Sequence, residues 1–456
     1  MTLTSINPAT GKKIADYTPI KIEEALLKCQ YSYAAFEKWR DSSFTHRAQL
    51  FKTMEQKLLD NIDSLSTLIT SEMGKPIRQA WAEIEKCASL CTYYAEHGET
   101  FLRPTPVDMG AIKSYFAYEP LGVILAIMPW NYPFWQVFRA AVPALMAGNG
   151  MVLKHAPSVT GCSLAMEKLF TEAGFPESLF QSLLIEENET TLSLIESPII
   201  QGVTLTGSVK AGKSVASKAG ACLKKCVLEL GGSDPYVILE DANTEEAAVL
   251  ICDGRFNNAG QSCISPKRII IVDSQYEKFE KAFIQCMKRI TVGDPRDETV
   301  TMGPLARLDL RDTLHDQVMR SIKLGATCVM GGNIPKRDGA FYEPTLLTTI
   351  SKEMPATQEE LFGPVAVLIK AKDEEDALRI ANDTSFGLGA AVFTQDRERG
   401  EEIALKQMNA GSGFVNAIVR SDPRLPFGGI KQSGLGRELS SVGITEFTNC
   451  KTIFVS

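Results

Sequence analysis

Three stretches of the chain hold residues whose types and spacing could do chemistry. Gly260-Gln261-Ser262-Cys263 sets a thiol behind a glycine and two polar residues. A thiolate is the best protein nucleophile for an electrophilic carbon, since a few per cent is ionised even at an unperturbed pKa. Leu228-Glu229-Leu230-Gly231-Gly232 ends an apolar run on a carboxylate with two glycines behind it. Partly buried there, Glu229 should have a raised pKa suited to activating water. The third stretch, Gly207 to Ser214, reads GSVKAGKS and satisfies the GxxxxGK(S/T) pattern. It follows the apolar run Val203–Leu205 and opens a helix-like stretch, so its backbone N–H groups and positive helix end suit a phosphate. Two readings share that geometry. A P-loop NTPase would set Lys213 on the phosphate and recruit Glu240, Asp241 or Asp273 to magnesium. A dinucleotide site would leave Lys213 as a solvated helix residue. The GxGxxG fingerprint of ordinary Rossmann domains is absent from the chain.

The elements that must position these groups follow from the pattern of apolar residues. In the first hundred residues, Ile22, Leu26, Cys29, Tyr33 and Phe36 recur at steps of three and four, as do Leu50, Met54, Leu58, Ile62, Leu65 and Ile69 before Gly74-Lys75-Pro76. These are core-facing helical stripes, and the region reads as helix. From Leu121 the texture changes to short, fully apolar runs: Leu121–Met128, Met151–Leu153 and Val203–Leu205, each followed by a loop and a helical stretch. Further candidate strands are Tyr236–Leu239, Arg268–Val272, Pro364–Ile369, Ala390–Phe393 and Phe414–Val415, with a helix over Tyr276–Ile290. Strands alternating with helices imply a parallel, doubly wound α/β sheet, and the second series predicts a second α/β domain from about Gly231-Gly232. The tail ends in a strand-like Lys451–Val455.

Composition bounds the function. The 456 residues carry a net charge of −7, with 44% hydrophobic and 23% charged residues, close to a soluble globular average and too long for a single core. This argues against disorder, collagen and a basic nucleic-acid binder. The 11 cysteines include no CxxC pair and only four histidines are available, so no zinc-ribbon or finger site and no other metal is expected. An odd cysteine count without a secretory segment in Met1–Lys12 fits a reducing, cytoplasmic setting, and Leu121–Trp130 is far shorter than the roughly 20 residues of a membrane span.

Six segments together carry a resemblance. They are Pro129-Trp130-Asn131-Tyr132-Pro133, the phosphate loop at Gly207, Leu228–Gly232, Gly260–Cys263, Glu359-Glu360-Leu361-Phe362-Gly363-Pro364, and Pro426–Gly429 with Ser433–Glu438. In this order they resemble the aldehyde dehydrogenase superfamily over essentially the whole chain, most closely its short bacterial succinate-semialdehyde type. The resemblance implies a Rossmann-like cofactor domain over 1–100 and 121–228, a catalytic domain over 229–432, and a small β oligomerisation element from 101–120 and 440–456 that bridges a homodimer or homotetramer. It implies Cys263 as nucleophile, Glu229 as general base, and the Asn131 amide with the Cys263 N–H as oxyanion donors. The cofactor residues it implies are Trp130, Lys154, Gly207, Ser208, Gly212, Glu360 and Phe362. A thiol hydrolase would also use Cys263, but no histidine lies in a suggestive motif.

Two departures matter. NAD-preferring relatives often carry a glutamate three residues after the Lys154 position. Pro157 stands there instead, followed by Ser158, so with Lys154 and His155 nearby both NAD and NADP are expected to serve. Arg139, eight residues after Asn131, matches the carboxylate-binding arginine of succinate-semialdehyde dehydrogenases. A second arginine six residues before the nucleophile is replaced by Asn257; Arg255, or Arg420 with Ser421, could compensate. The favoured substrate is therefore an aldehyde with a distal carboxylate, succinate semialdehyde, with another small aliphatic or aromatic aldehyde as the alternative. Arg139→Leu is expected to damage anionic substrates only. Ser265, two residues beyond Cys263, removes the partner for a local disulfide.

Overall fold

The computed structural model describes residues 2–186 and 188–456, and two twisted sheets organise it. The first has six strands in the order Gly434–Leu435, Lys225–Glu229, Ile200–Thr206, Val123–Met128, Gly150–His155, Phe180–Ser182. All its pairings are parallel except that of the two-residue Gly434–Leu435, which runs antiparallel to Lys225–Glu229. The second has seven, in the order Thr327–Met330, Thr345–Thr348, Val365–Ala371, Arg268–Val272, Pro235–Ile238, Gly389–Phe393, Ser412–Val415, parallel apart from the first. The central strands are buried along their length, as continuous Val/Ile/Leu runs require when helices cover both faces. Every candidate strand of the sequence reading from Leu121 to Val415 overlaps one of these elements, with boundaries moved by up to three residues.

The first hundred residues are not wholly helical. Leu3–Ile6 and Lys13–Tyr17 form an antiparallel pair before helices Ile22–Trp39, Phe44–Asp60, Ile62–Met73 and Ile77–Phe101. The apolar stripe from Leu50 to Ile69 crosses two of these. It continues through Asn61, whose side-chain amide donates to the Lys57 carbonyl at 2.8 Å and closes the earlier helix, so spacing alone hides the break. Lys113–Pro120 lies between the C-terminal strand Thr448–Val455 and the short Thr105–Pro106 in a separate three-stranded antiparallel sheet.

Helices of the N-terminal region and Trp135–Met146 close one core over the first sheet, while a second core surrounds the seven-stranded sheet. Cys263 and Ile264 pack against the first core, and Ile264 touches the second as well. The turn that carries the thiol is thus wedged between the two.

Candidate active site

The thiol turn is built by an unusual backbone. Asn258, Ala259 and Gly260 all have positive φ, at 53°, 52° and 71°, a conformation that costs non-glycine residues energy and persists only where the surroundings hold it. They are held from several sides. Asn258 Nδ2 donates to the Asn131 carbonyl at 2.9 Å, Gln261 Nε2 donates to Asn258 O at 3.0 Å, and Asn258 N–H donates to Gln79 Oε1 at 2.9 Å. Beneath the turn the buried Arg255 donates to carbonyls of Gly260, Leu361, Gly363 and Val365 and to Ser265 Oγ. Lys267 donates to the carbonyls of Ser262 and Cys263 at 2.8 and 2.7 Å and pairs with Glu360 at 3.3 Å. Arg255 therefore faces away from the thiol and ties the turn to the Leu361–Val365 segment; it is not a second substrate cation.

Asn131 is buried and donates one amide hydrogen to the Gln261 carbonyl at 3.1 Å. Its second N–H, and the backbone N–H of Cys263, have no acceptor among the described residues. Two unspent donors thus flank the thiol region. The loop bearing Asn131 is anchored by the buried Glu83, which accepts from the N–H groups of Phe134 and Trp135 at 2.9 and 3.0 Å and so caps the positive end of Trp135–Met146. Glu83 is itself ion-paired with the buried Lys75, whose ammonium stacks on Tyr132. His155 Nε2 lies 2.9 Å from the Pro133 carbonyl and Nδ1 lies 3.1 Å from the Met128 carbonyl, so the ring bridges the strand end and the loop. Burial pushes this imidazole down to about 4. It is therefore a neutral tie between strand and loop, and of the pair Lys154 and His155 only the lysine brings a charge.

Burial pushes the Cys263 thiol up to about 12, opposed by the nearby charges of Arg139 and Lys267. Glu229 is buried at the end of its strand with neither carboxylate oxygen hydrogen-bonded. Desolvation, then repulsion from Glu438, raises its pKa well above the ordinary carboxylate value, against Arg139 and Arg437. Gly428 lies against it at a φ of 150°, and a Cβ there would come within 2.7 Å of Glu229 Oε1 and 2.9 Å of the Gly436 carbonyl oxygen. Glu229 does not line the cavity onto which Cys263 opens.

That cavity is about 270 Å³, and its wall includes Cys263, Arg139, Arg420, Ser421, Lys86 and Trp135. Arg139 is not a free cation. Its guanidinium is ion-paired with the buried Glu438 and stacks 4.6 Å over Phe427. Glu438 in turn accepts from Thr204 at 3.3 Å. Arg420 is exposed on the rim, and Ser421 Oγ accepts from Trp135 Nε1 at 3.1 Å and Lys86 Nζ at 2.8 Å. Sequence reasoning gave no role to Glu438, Lys86, Lys267 or Gln261. Glu438 could have been found as the acidic end of the Gly434–Glu438 run; Lys86 carries no local signal.

On the other side of the first sheet the phosphate loop turns from strand Ile200–Thr206 into helix Val209–Ala221. Ser208 caps that helix by accepting from Ala211 N–H at 3.2 Å. A Cβ at Gly212 would meet Leu230 at 2.5 Å, so only glycine lets the helix pack this closely. Lys213 is exposed on the helix. Trp130 and Phe362 meet edge to face at 5.8 Å, and Glu360 accepts from Gly232 N–H at 3.1 Å. A dinucleotide fits this surface on one independent observation. The half-buried Lys154 ammonium has no ion-pair or hydrogen-bond partner among the described residues and is pushed down by burial alone, and the Ser158 hydroxyl is a buried orphan. Pro157 starts the turn between them, and no carboxylate stands there.

Cleft, thiol and phosphate turn on a pair of mainly parallel sheets define an α/β protein built for a thiol nucleophile and a phosphate-bearing ligand, and residues 1–453 match the model of the aldehyde dehydrogenase family: the chain belongs to that family of oxidoreductases. It is 43% identical to the NAD(P)+ succinate semialdehyde dehydrogenase Sad of Escherichia coli strain K12, over 99% of this chain and 97% of that one. It is 44% identical, over the full length of both, to a probable NADP+ succinate-semialdehyde dehydrogenase of Synechocystis. Among solved structures, the succinic semialdehyde dehydrogenase of Streptococcus pyogenes in complex with NADP+ superposes with a TM-score of 0.96 at 34% identity, covering 99% of both chains. The chain oxidises aldehydes as its family does, and the P-loop NTPase reading falls with that membership.

Proposed function

We propose that the protein oxidises succinate semialdehyde to succinate with NAD or NADP, through a covalent adduct on Cys263. The observation that supports it best is the cavity in which Cys263 shares a wall with Lys86, Arg420 and Ser421, beside the Glu438-paired Arg139, a lining whose lysine and rim arginine suit a carboxylate remote from the aldehyde. The naming of both curated relatives agrees with it.

Cys263 adds its sulfur to the aldehyde carbon as its thiol proton passes to water in the open cavity. The spare N–H of Asn131 and the N–H of Cys263 meet the oxyanion that forms. Each such donor is typically worth about 100- to 1000-fold in rate. A dinucleotide bound at the phosphate turn would supply the hydride acceptor that this oxidation needs. Glu229 then takes a proton from the water that hydrolyses the Cys263 thioester, after its side chain rotates from its place against Gly428; its raised pKa suits that task. Gly207, Ser208 and the helix end behind Gly212 would receive the pyrophosphate. Lys154 with Ser158 would hold the adenosine ribose and tolerate a 2′-phosphate. Trp130, Phe362 and Glu360 would bracket the nicotinamide end.

On this reading the first sheet with its helices is the cofactor domain and the second sheet the catalytic domain. The free outer edge of Thr448–Val455, with exposed Phe454, suits pairing across a homodimer. The free cysteines suit the cytoplasm. Absorbance of the reduced nicotinamide tests the mechanism: Cys263→Ala should cost at least about 1000-fold in succinate-semialdehyde oxidation while dinucleotide binding persists. Undiminished turnover would refute it.

A further inference from the structure

Three features of the cavity wall point to an anion-binding group outside the sequence-derived set. The first is a charge balance. Arg139 is paired with Glu438, and Arg255 is spent on backbone carbonyls. Lys86, on helix Ile77–Phe101, lines the same cavity and has no carboxylate partner among the described residues. Of the two acids whose charges act on it, Glu83 is ion-paired with Lys75 and Asp422 is held by Arg424 through two hydrogen bonds of 2.8 Å.

The second feature is an excess of donors. The Lys86 ammonium gives one hydrogen to Ser421 Oγ and faces the Trp135 ring at 4.1 Å, with no other acceptor. Ser421 Oγ accepts from both Lys86 and Trp135, so its own hydrogen is unspent. Ammonium and hydroxyl together offer donors with no protein acceptor to take them, the complement of a carboxylate. The third is placement: the group lies on the same cavity wall as Cys263, on a rigid 25-residue helix.

Resting on the substrate reading above, we propose that Lys86, oriented by Ser421 and Trp135, is the specificity-determining cation that binds the substrate's distal carboxylate. It replaces the arginine missing at Asn257. Burial and the Arg139 charge push the Lys86 ammonium down to about 8, with Cys87, Glu83 and Asp422 acting the other way. A bound carboxylate relieves that stress, so binding and protonation favour each other.

The test compares kcat/KM for succinate semialdehyde with that for butanal in the wild type, Lys86→Met and Lys86→Arg. The ratio is taken within each preparation, so a poorly folded fraction cancels. Lys86→Met should lower the ratio about 30-fold, about 2 kcal/mol at 1.4 kcal/mol per tenfold, and Lys86→Arg should restore most of it. In the wild type, KM for succinate semialdehyde should climb as pH rises through the Lys86 pKa, and in Lys86→Arg it should not. A wild-type preference that survives in Lys86→Met overturns this assignment alone. A wild type with no preference for the anionic aldehyde overturns the substrate reading and this assignment with it.

Discussion

Arg139 shows how a side chain acquires its meaning from what it touches. The resemblance to succinate-semialdehyde dehydrogenases implies a residue reserved for the substrate. Its contacts with Glu438 and its influence on both Cys263 and Glu229 make it the charge that keeps this group of buried acids tolerable. Removing one member of a buried pair strands the other. Arg139→Leu should therefore lower kcat for neutral and anionic aldehydes together, by at least about tenfold, with Arg139→Lys recovering part of it. Loss confined to anionic substrates would return Arg139 to a purely recognising role. The thiol yields a second expectation. With burial holding Cys263 near 12 in the resting site, the neutral form dominates at neutral pH, and only the thiolate is alkylated. The rate of Cys263 carboxamidomethylation by iodoacetamide, followed by mass spectrometry, should keep rising with pH beyond about 9 instead of levelling near the usual thiol value. A plateau near 8 would show that the surroundings stabilise the thiolate.

Between residues and the whole stand the segments that fix them. The left-handed turn at Asn258–Gly260 has its carbonyls and those of Leu361–Val365 gathered on one guanidinium. Arg255→Met keeps the volume but leaves several buried carbonyls without donors, so a loss of about 3 to 5 kcal/mol is expected. It would be read as a fall in thermal midpoint with a simultaneous fall in activity; an unchanged midpoint would contradict it. At this scale the chain was partly legible. Buried parallel strands announce themselves as apolar runs, so Arg268–Val272 was found to the residue. Lys113–Pro120 was not found by pattern, because its residues are nearly all half-buried and no alternation marks a face. In the site, Cys263, Glu229 and Asn131 sit in recognisable strings. Lys86 meets Ser421 across 335 residues, and Lys267 and Glu438 act through partners brought up by folding, so no local window could name them.

For the molecule as a whole, the three-stranded sheet offers a long unpaired edge. Thr448–Val455 pairs all eight of its residues with Lys113–Pro120 on one side and leaves the other side bare, a template for a further strand. Truncation before Thr448 should lower the assembly mass measured by light scattering, since it removes that edge; an unchanged mass would place the subunit contact elsewhere.

The cavity wall is drawn from two separate hydrophobic bodies, Trp135 and Arg139 on the side of one and Tyr236 and Ile418 on the side of the other. Each body keeps its own sheet, so a slip of a single ångström between them would spoil the reacting geometry while both remain intact. Under rising guanidinium chloride, turnover should fade at lower concentrations than far-ultraviolet ellipticity. Ageing or storage would then produce enzyme that looks native by spectroscopy and is already silent.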